Sequence, residues 1–142
     1  MRVALVDLLT MSPFYDYHLA ESLVPLVDDL TLYAVTYHLD PAYWSTLPCR
    51  RATGALDIVS KLGIKNSSLR RALKTGEYIA NWSSLGTRWR WQRPDILHVQ
   101  WLPLLSRTSL ELGFVSGAQR LGIPLVYTMH NLLPHDLAPD SA

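Results

Sequence analysis

Cysteine is nearly missing from this chain: Cys49 stands alone among 142 residues. A lone thiol excludes an internal disulfide pair and a cysteine-rich metal cluster, and it suits a reducing compartment. Long apolar runs are missing too. No stretch reaches the roughly 18 residues that a membrane span needs. The start, Met1-Arg2-Val3-Ala4-Leu5-Val6-Asp7, has one basic residue and then a short strand, without the long apolar region and small-residue cleavage site of a signal peptide. Glycine is missing where a dinucleotide fold would need it. The first strand-to-helix loop, from Asp7 through Thr10, Met11, Ser12 and Pro13 to His18, contains none. A Gly-x-Gly-x-x-Gly turn lets backbone approach a pyrophosphate closely, so its absence argues against a nicotinamide or flavin module. No Gly-x-x-x-x-Gly-Lys-Ser/Thr sequence occurs anywhere.

What is present is an ordinary globular composition, 49% apolar and 18% charged, of a length for one domain. The net charge is only +1, but it is unevenly spread. Residues 50–93 hold ten basic groups against two acidic ones, a balance of +8, while the remainder holds three against ten, a balance of −7. An anionic membrane surface or an anionic substrate would be drawn to the basic segment. Nucleic acid is not expected, because the overall charge is near neutral and no recognition motif occurs.

The pattern along the chain alternates strand and helix. Residues 2–7 read as a short apolar strand with Asp7 at its carboxyl end. Ser12-Pro13 signals a helix start, with Ser12 as N-cap and Pro13 at the first helical position. That helix is expected to face inward through Leu19, Leu23, Leu26 and Val27, and Pro25 should kink or end it. Residues 30–36 form a second strand, and a short strand is expected near 47–52. Residues 67–92 read as mostly helical, capped by Ser67 or Ser68. Tyr78, Trp82, Leu85 and Trp89 share one face, and Gly86 is a candidate break. Residues 96–101 form a strand apolar enough to be covered on both sides. Residues 106–121 form a helix, with Leu110, Leu112, Phe114, Val115, Ala118 and Leu121 as its apolar positions and Gly122 as its stop. The last strand spans 123–129. Such alternation gives a parallel sheet with helices on both faces and right-handed crossovers. No helix follows the last strand, so residues 1–142 are expected to be a single Rossmann-like domain, incomplete at its C-terminal side, the alternative being a complete domain with a bare flank.

Chemistry-bearing residues gather at expected strand ends. His130 and Asn131 end the last strand, followed by Pro134, His135 and Asp136. Ligands of open α/β sheets bind outside the carboxyl ends of parallel strands. His130 is therefore a candidate general base or hydroxyl-binding group, since a neutral imidazole can accept a proton near pH 7. Equally, it could fix its loop through backbone hydrogen bonds. A metal site built from His130, His135 and Asp136 is not expected. The histidine spacing does not match an i, i+4 helical pair, and Pro134 blocks a helix. On the strand before, His98 reads as a hydrogen-bonded strand residue, while Trp101 reads either as a stacking platform for a sugar or ring, or as core. In the first loop, Ser12, Tyr15, Asp16 and His18 either offer hydrogen bonds to a polyhydroxyl ligand or cap and solvate a helix. The basic, aromatic segment 65–93 could lie on an anionic membrane with Trp82, Trp89 and Trp91 at headgroup level. The competing reading, with Tyr78, Trp82, Leu85 and Trp89 facing the sheet and the arginines solvated, is favoured.

Two motifs carry a family resemblance. They are Asp95-Ile96-Leu97-His98-Val99-Gln100-Trp101 and, about two dozen residues later, Gly122-Ile123-Pro124-Leu125-Val126-Tyr127-Thr128-Met129-His130. Together with the strand at 2–7 and the early helix, they resemble the N-terminal half of a GT-B glycosyltransferase of the group called family 4. The resemblance implies two Rossmann-like domains around a cleft, the first binding the acceptor and the second binding a nucleotide-sugar donor. It implies transfer to a hydroxyl of a glycan or lipid-linked saccharide, with retention of anomeric configuration and without a metal or other cofactor. His130 takes the position of a family histidine close to the acceptor hydroxyl and donor sugar. Asn131 matches a common acidic or amide neighbour. With Ser12, Tyr15, Asp16, His18, Trp101 and His135, it completes the expected substrate-binding set. The first loop departs from relatives whose glycines approach the donor phosphates. With no donor domain, the chain alone is expected to be inactive. The expected setting is cytoplasmic, with residues 65–93 a candidate peripheral contact at the inner membrane face. The alternative from the residues is a non-catalytic α/β binding or interaction module.

Overall fold

A computed structural model of the protein describes residues 1–105 and 107–130. Its centre is strand β1, Arg2–Asp7, whose side chains alternate between two cores because successive residues of a strand point to opposite faces. Ala4 and Val6 enter one core and Val3 and Leu5 the other, all essentially sealed from solvent. On one side β1 pairs with β2 (Asp29–Ala34), which pairs with β3 (Arg50–Ala52). On the other side it pairs with β4 (Ile96–Val99), which pairs with β5 (Leu125–Tyr127). All four pairings are parallel, and the order is β3-β2-β1-β4-β5. This is the α/β architecture expected from the alternating pattern.

One face of the sheet is covered by α1, Pro13–Leu23, with Ala20 and Trp44 in its core beside Leu30, Leu32 and Ala34. Pro13 opens this helix at its first position. The helix ends at Leu23 and tightens into a single 3-10 turn, Val24–Leu26, around Pro25. Proline has no N–H to continue the i to i−4 ladder. The tighter turn swings Leu26 out to 74% exposure, against the expectation that it faces inward.

The other face carries α2, Ser67–Arg88, and α3, Leu110–Arg120. Asn66, rather than Ser67 or Ser68, caps α2, its side-chain oxygen accepting from the Leu69 N–H at 3.0 Å. Gly86 does not divide the helix. Tyr78, Trp82 and Leu85, with Trp89 just past its end, form the buried stripe expected from their spacing. Trp82 is 1% exposed and stacks on Phe114 of α3, with centroids 5.7 Å apart and planes at 4°. Trp82 and Trp89 are thus core residues, whereas Trp91 is 86% exposed. In α3 the inward positions are Val115 and Ala118, with Phe114 and Leu121 packed at the margin, while Leu110 and Leu112 are exposed. Gly122, at φ +73°, ends α3. Its N–H reaches the Gln119 carbonyl, and the Ile123 N–H reaches that of Ala118, the paired bonds that a left-handed residue permits.

Buried polar side chains fasten the loops to this face. Asn81 of α2 accepts from the N–H groups of Ala55 and Leu56, each at 2.8 Å, and donates to the Leu56 carbonyl. Glu77 accepts from Ile58 and Val59 N–H. Glu111 of α3 accepts from the Tyr78 hydroxyl and the Leu104 N–H. Its carboxyl is raised by burial, against the pull of these hydrogen bonds. Among the described residues, no helix is long and apolar enough to cross a membrane.

Candidate functional site

Because the strands are parallel, the chain leaves the same edge of the sheet five times, at residues 8–12, 35–38, 53–54, 100–101 and 128–130. The strand order reverses between β1 and β4: from β1 the chain first builds β2 and β3 to one side, then β4 and β5 to the other. In open α/β sheets the connections depart in opposite directions at such a switch point, and ligands bind at its carboxyl edge.

Residues from three segments meet there. The Gln100 N–H continues the ladder to the Val6 carbonyl at 2.9 Å, which holds the side chain of this residue inside the edge, 0% exposed. Its Oε1 lies 3.2 Å from Nε2 of His130. In the tautomer whose Nε2 donates to this oxygen, Nδ1 is the acceptor, and the Gln100 Nε2 is buried without a partner among the described residues. The Trp101 ring stacks on His130, with centroids 4.8 Å apart and planes at 5°. Tyr15 of α1 meets the same imidazole edge-on at 4.9 Å. The Trp101 indole N–H donates to the Ser12 hydroxyl at 2.8 Å. Ser12 does occupy the N-cap position of α1, but its side chain makes no capping bond. The hydroxyl is committed to a partner 89 residues away.

Below the first loop lie two buried carboxyl groups. Asp7 accepts from the Ser12 N–H at 3.0 Å, and burial raises its pKa against the pull of its hydrogen bonds. Asp16 is 0% exposed, and neither of its oxygens has a partner of normal hydrogen-bond geometry among the described residues. Burial first, then the neighbouring charge of Asp7, pushes Asp16 up to about 9. It therefore holds its proton at neutral pH. Two ionised carboxylates in so dry a place would each lack compensation. Asp16 is sealed beneath the loop rather than presented to a ligand.

Of the candidate residues, the structure brings His130, Trp101, Ser12 and Tyr15 together. His18 stands apart on the exposed side of α1, 3.4 Å from Glu21 and edge-on to Tyr17. Asn131, His135 and Asp136 lie outside the described residues. His98 donates or accepts at 2.8 Å with the Thr128 hydroxyl, and burial lowers its pKa. It ties β4 to the exit of β5, as a strand histidine would. Gln100 enters the site without having been singled out, because the expected strand ran on to residue 101 whereas β4 ends at Val99 and puts Gln100 at the edge.

On the opposite flank of the first loop a cleft of about 830 Å3 opens between that loop, residues 37–38 and the N-terminal half of α2. This volume lies within the range of small-molecule sites. Thr10 stands at its margin with φ 55°, a left-handed conformation uncommon for a β-branched residue. Its N–H reaches the Asp7 carbonyl and its hydroxyl donates to the Val35 carbonyl, both at 2.9 Å. No family model, curated protein or solved structure matches the chain.

Proposed function

We propose that this chain is the acceptor-binding lobe of a retaining glycosyltransferase of the GT-B type. In this reading, a partner lobe supplies the nucleotide-sugar donor, and the acceptor is a glycan or lipid-linked saccharide. The observation that carries the reading is the placement of His130 at the carboxyl edge of the switch point. There it is clamped between the Trp101 face and the Tyr15 edge, with Nε2 engaged by Gln100. The clamp fixes ring orientation, and in the tautomer whose Nε2 donates to Gln100 it leaves Nδ1 to hold an acceptor hydroxyl or take its proton. A group positioned in this way contributes to catalysis both as an acid–base partner and by orienting the attacking oxygen. The Trp101 indole offers a flat apolar surface of the kind that sugar rings stack on. The parallel sheet with helices on both faces supports the reading at the level of fold alone.

The test is sugar transfer by the whole enzyme, donor lobe included, measured as nucleoside diphosphate release from a panel of nucleotide sugars. His130→Ala is expected to lower kcat at least about 100-fold, with the thermal midpoint near that of the parent protein. Unchanged transfer by a folded His130→Ala enzyme would remove His130 from the mechanism.

A further inference from the structure

The cleft on the α2 flank is lined by more positive charge than the protein itself neutralises. Lys65 lies just ahead of α2, and Arg70, Arg71 and Lys74 line the cleft from its first two turns. Spacings of three and four residues put Arg70 and Lys74, and Arg71 and Lys74, on one side of a helix. Among the described residues, none of these four cations has a carboxylate partner within ion-pair distance. The basic side chains that are paired lie elsewhere: Arg51 and Lys61 converge on Asp57, Arg50 reaches Asp29, and Arg2 reaches Asp95. His38 faces the four from across the cleft, and its pKa is lowered by burial and then by the charges of Lys74 and Arg70. The remaining walls are largely apolar, with Leu9, Met11, Val59 and Ile64 among them.

We propose that this cleft binds a phosphate-bearing amphiphile, its anionic head on Lys65, Arg70, Arg71 and Lys74 and its apolar part against Leu9, Met11, Val59 and Ile64. Arginine presents a fork of donors that matches phosphate oxygens in pairs, and lysine adds a point charge. Charges converging on a low-dielectric concavity attract an anion more strongly than the same charges spread over a convex surface. The apolar walls supply what a bare inorganic ion would not use. One consequence rests on the function proposed above: the phosphate group would belong to the acceptor. Binding itself does not depend on that function.

The test is calorimetric titration of the protein at low salt with two soluble probes, inorganic pyrophosphate and monomeric dihexanoyl phosphatidic acid. Three proteins are compared: the parent, Arg70→Gln/Lys74→Gln in the cleft, and Arg90→Gln/Arg120→Gln with the same charge change outside it. Arg70, Arg90 and Arg120 are exposed and Lys74 is half-buried, so both variants are expected to fold, as checked by circular dichroism. The cleft variant is expected to lose at least about 10-fold in affinity, while the outside variant stays within about 2-fold, as close phosphate contacts require. Tighter capture of the amphiphile than of pyrophosphate is expected; equal or tighter capture of pyrophosphate would overturn the role of the apolar walls and make the ligand a free phosphate. Equal losses in both variants, or no capture of either probe, would overturn the cleft. So would sedimentation on phosphatidylglycerol vesicles without capture of either soluble probe, which would make the basic face a membrane surface instead. Cleft binding by a protein whose full-length enzyme transfers no sugar would leave the cleft standing and remove the acceptor role.

Discussion

The two flanks of the first loop solve opposite problems with the same sheet edge. On the β4–β5 flank, the polar groups around His130 are mostly committed to one another: Nε2 to Gln100, the indole N–H to Ser12, the Ser12 N–H to Asp7. On the α2 flank, four cations face open space without carboxylate partners among the described residues. Under the two proposals made above, the difference amounts to a division of labour. A preorganised imidazole is useful for chemistry, because its orientation is fixed before a ligand arrives. Uncommitted charge is useful for capture, because its electrostatic energy is realised only when an anion enters. The first flank would set rate and the second affinity.

The largest expected effect breaks the support of the cleft flank alone. Trp82→Ala removes a sealed indole stacked on Phe114 beneath α2. Denaturant unfolding is expected to show a loss of about 3–5 kcal/mol. If α2 is the rigid backing of the cations, probe capture should weaken at temperatures where the fold still persists.

A second, smaller effect tests the buried acids under the aromatic flank. Asp16 has a folded pKa of about 9 against an ordinary 3.8, so between these values the folded state binds more protons than the unfolded one. Stability from this group is therefore complete below about pH 4 and is lost as pH rises through about 9. Asp16→Asn keeps the shape of the protonated acid and removes that slope. Urea titrations at pH 5 and pH 8 should find the variant gaining on the parent by more than about 1 kcal/mol across that interval. Parallel pH dependences would show that Asp16 is ionised in the fold.

The smallest effect sharpens the aromatic side. Trp101→Phe keeps a ring against His130 but drops the hydrogen bond to Ser12. A loss of about 1 kcal/mol is expected. The His130 ring-proton shifts should move in nuclear magnetic resonance spectra, while pyrophosphate affinity in the cleft stays the same. A change in that affinity would mean that the two flanks are not independent.

Much of this architecture was legible in the sequence, because strand and helix order is written in local pattern. The Val and Leu runs of β1 and β4, the four-three-four spacing from Tyr78 to Trp89, and Gly122 as a stop all act within a few residues of themselves. What escaped depends on distant partners. Ser12 looks like a helix cap until Trp101, far along the chain, takes its hydroxyl. Asp16 reads as a ligand-binding or helix-solvating acid, yet it is fully buried, as is Glu111, which no local pattern marks. Pro25 announced the end of α1, but not the tighter turn that exposes Leu26. The charge excess of residues 50–93 was plain. The convergence of four of its cations on one cleft was not, because it depends on how α2 lies across the first loop. His130 at a strand end was readable from its motif. Its clamp was not, because Tyr15 and Trp101 come from elements that only the fold brings together.

Thr10 gives that boundary its stiffness. A β-branched residue held at φ 55° sits in a conformation costing on the order of 1 kcal/mol or more, and it stays there because two hydrogen bonds anchor it to β1 and β2. Met11 and Pro13 turn towards the cleft while Ser12, between them, grips the indole. The turn from Met11 to Pro13 is thus a wall shared by two compartments with one of its faces already engaged, and its stiffness is what lets the basic compartment fill without disturbing the aromatic one.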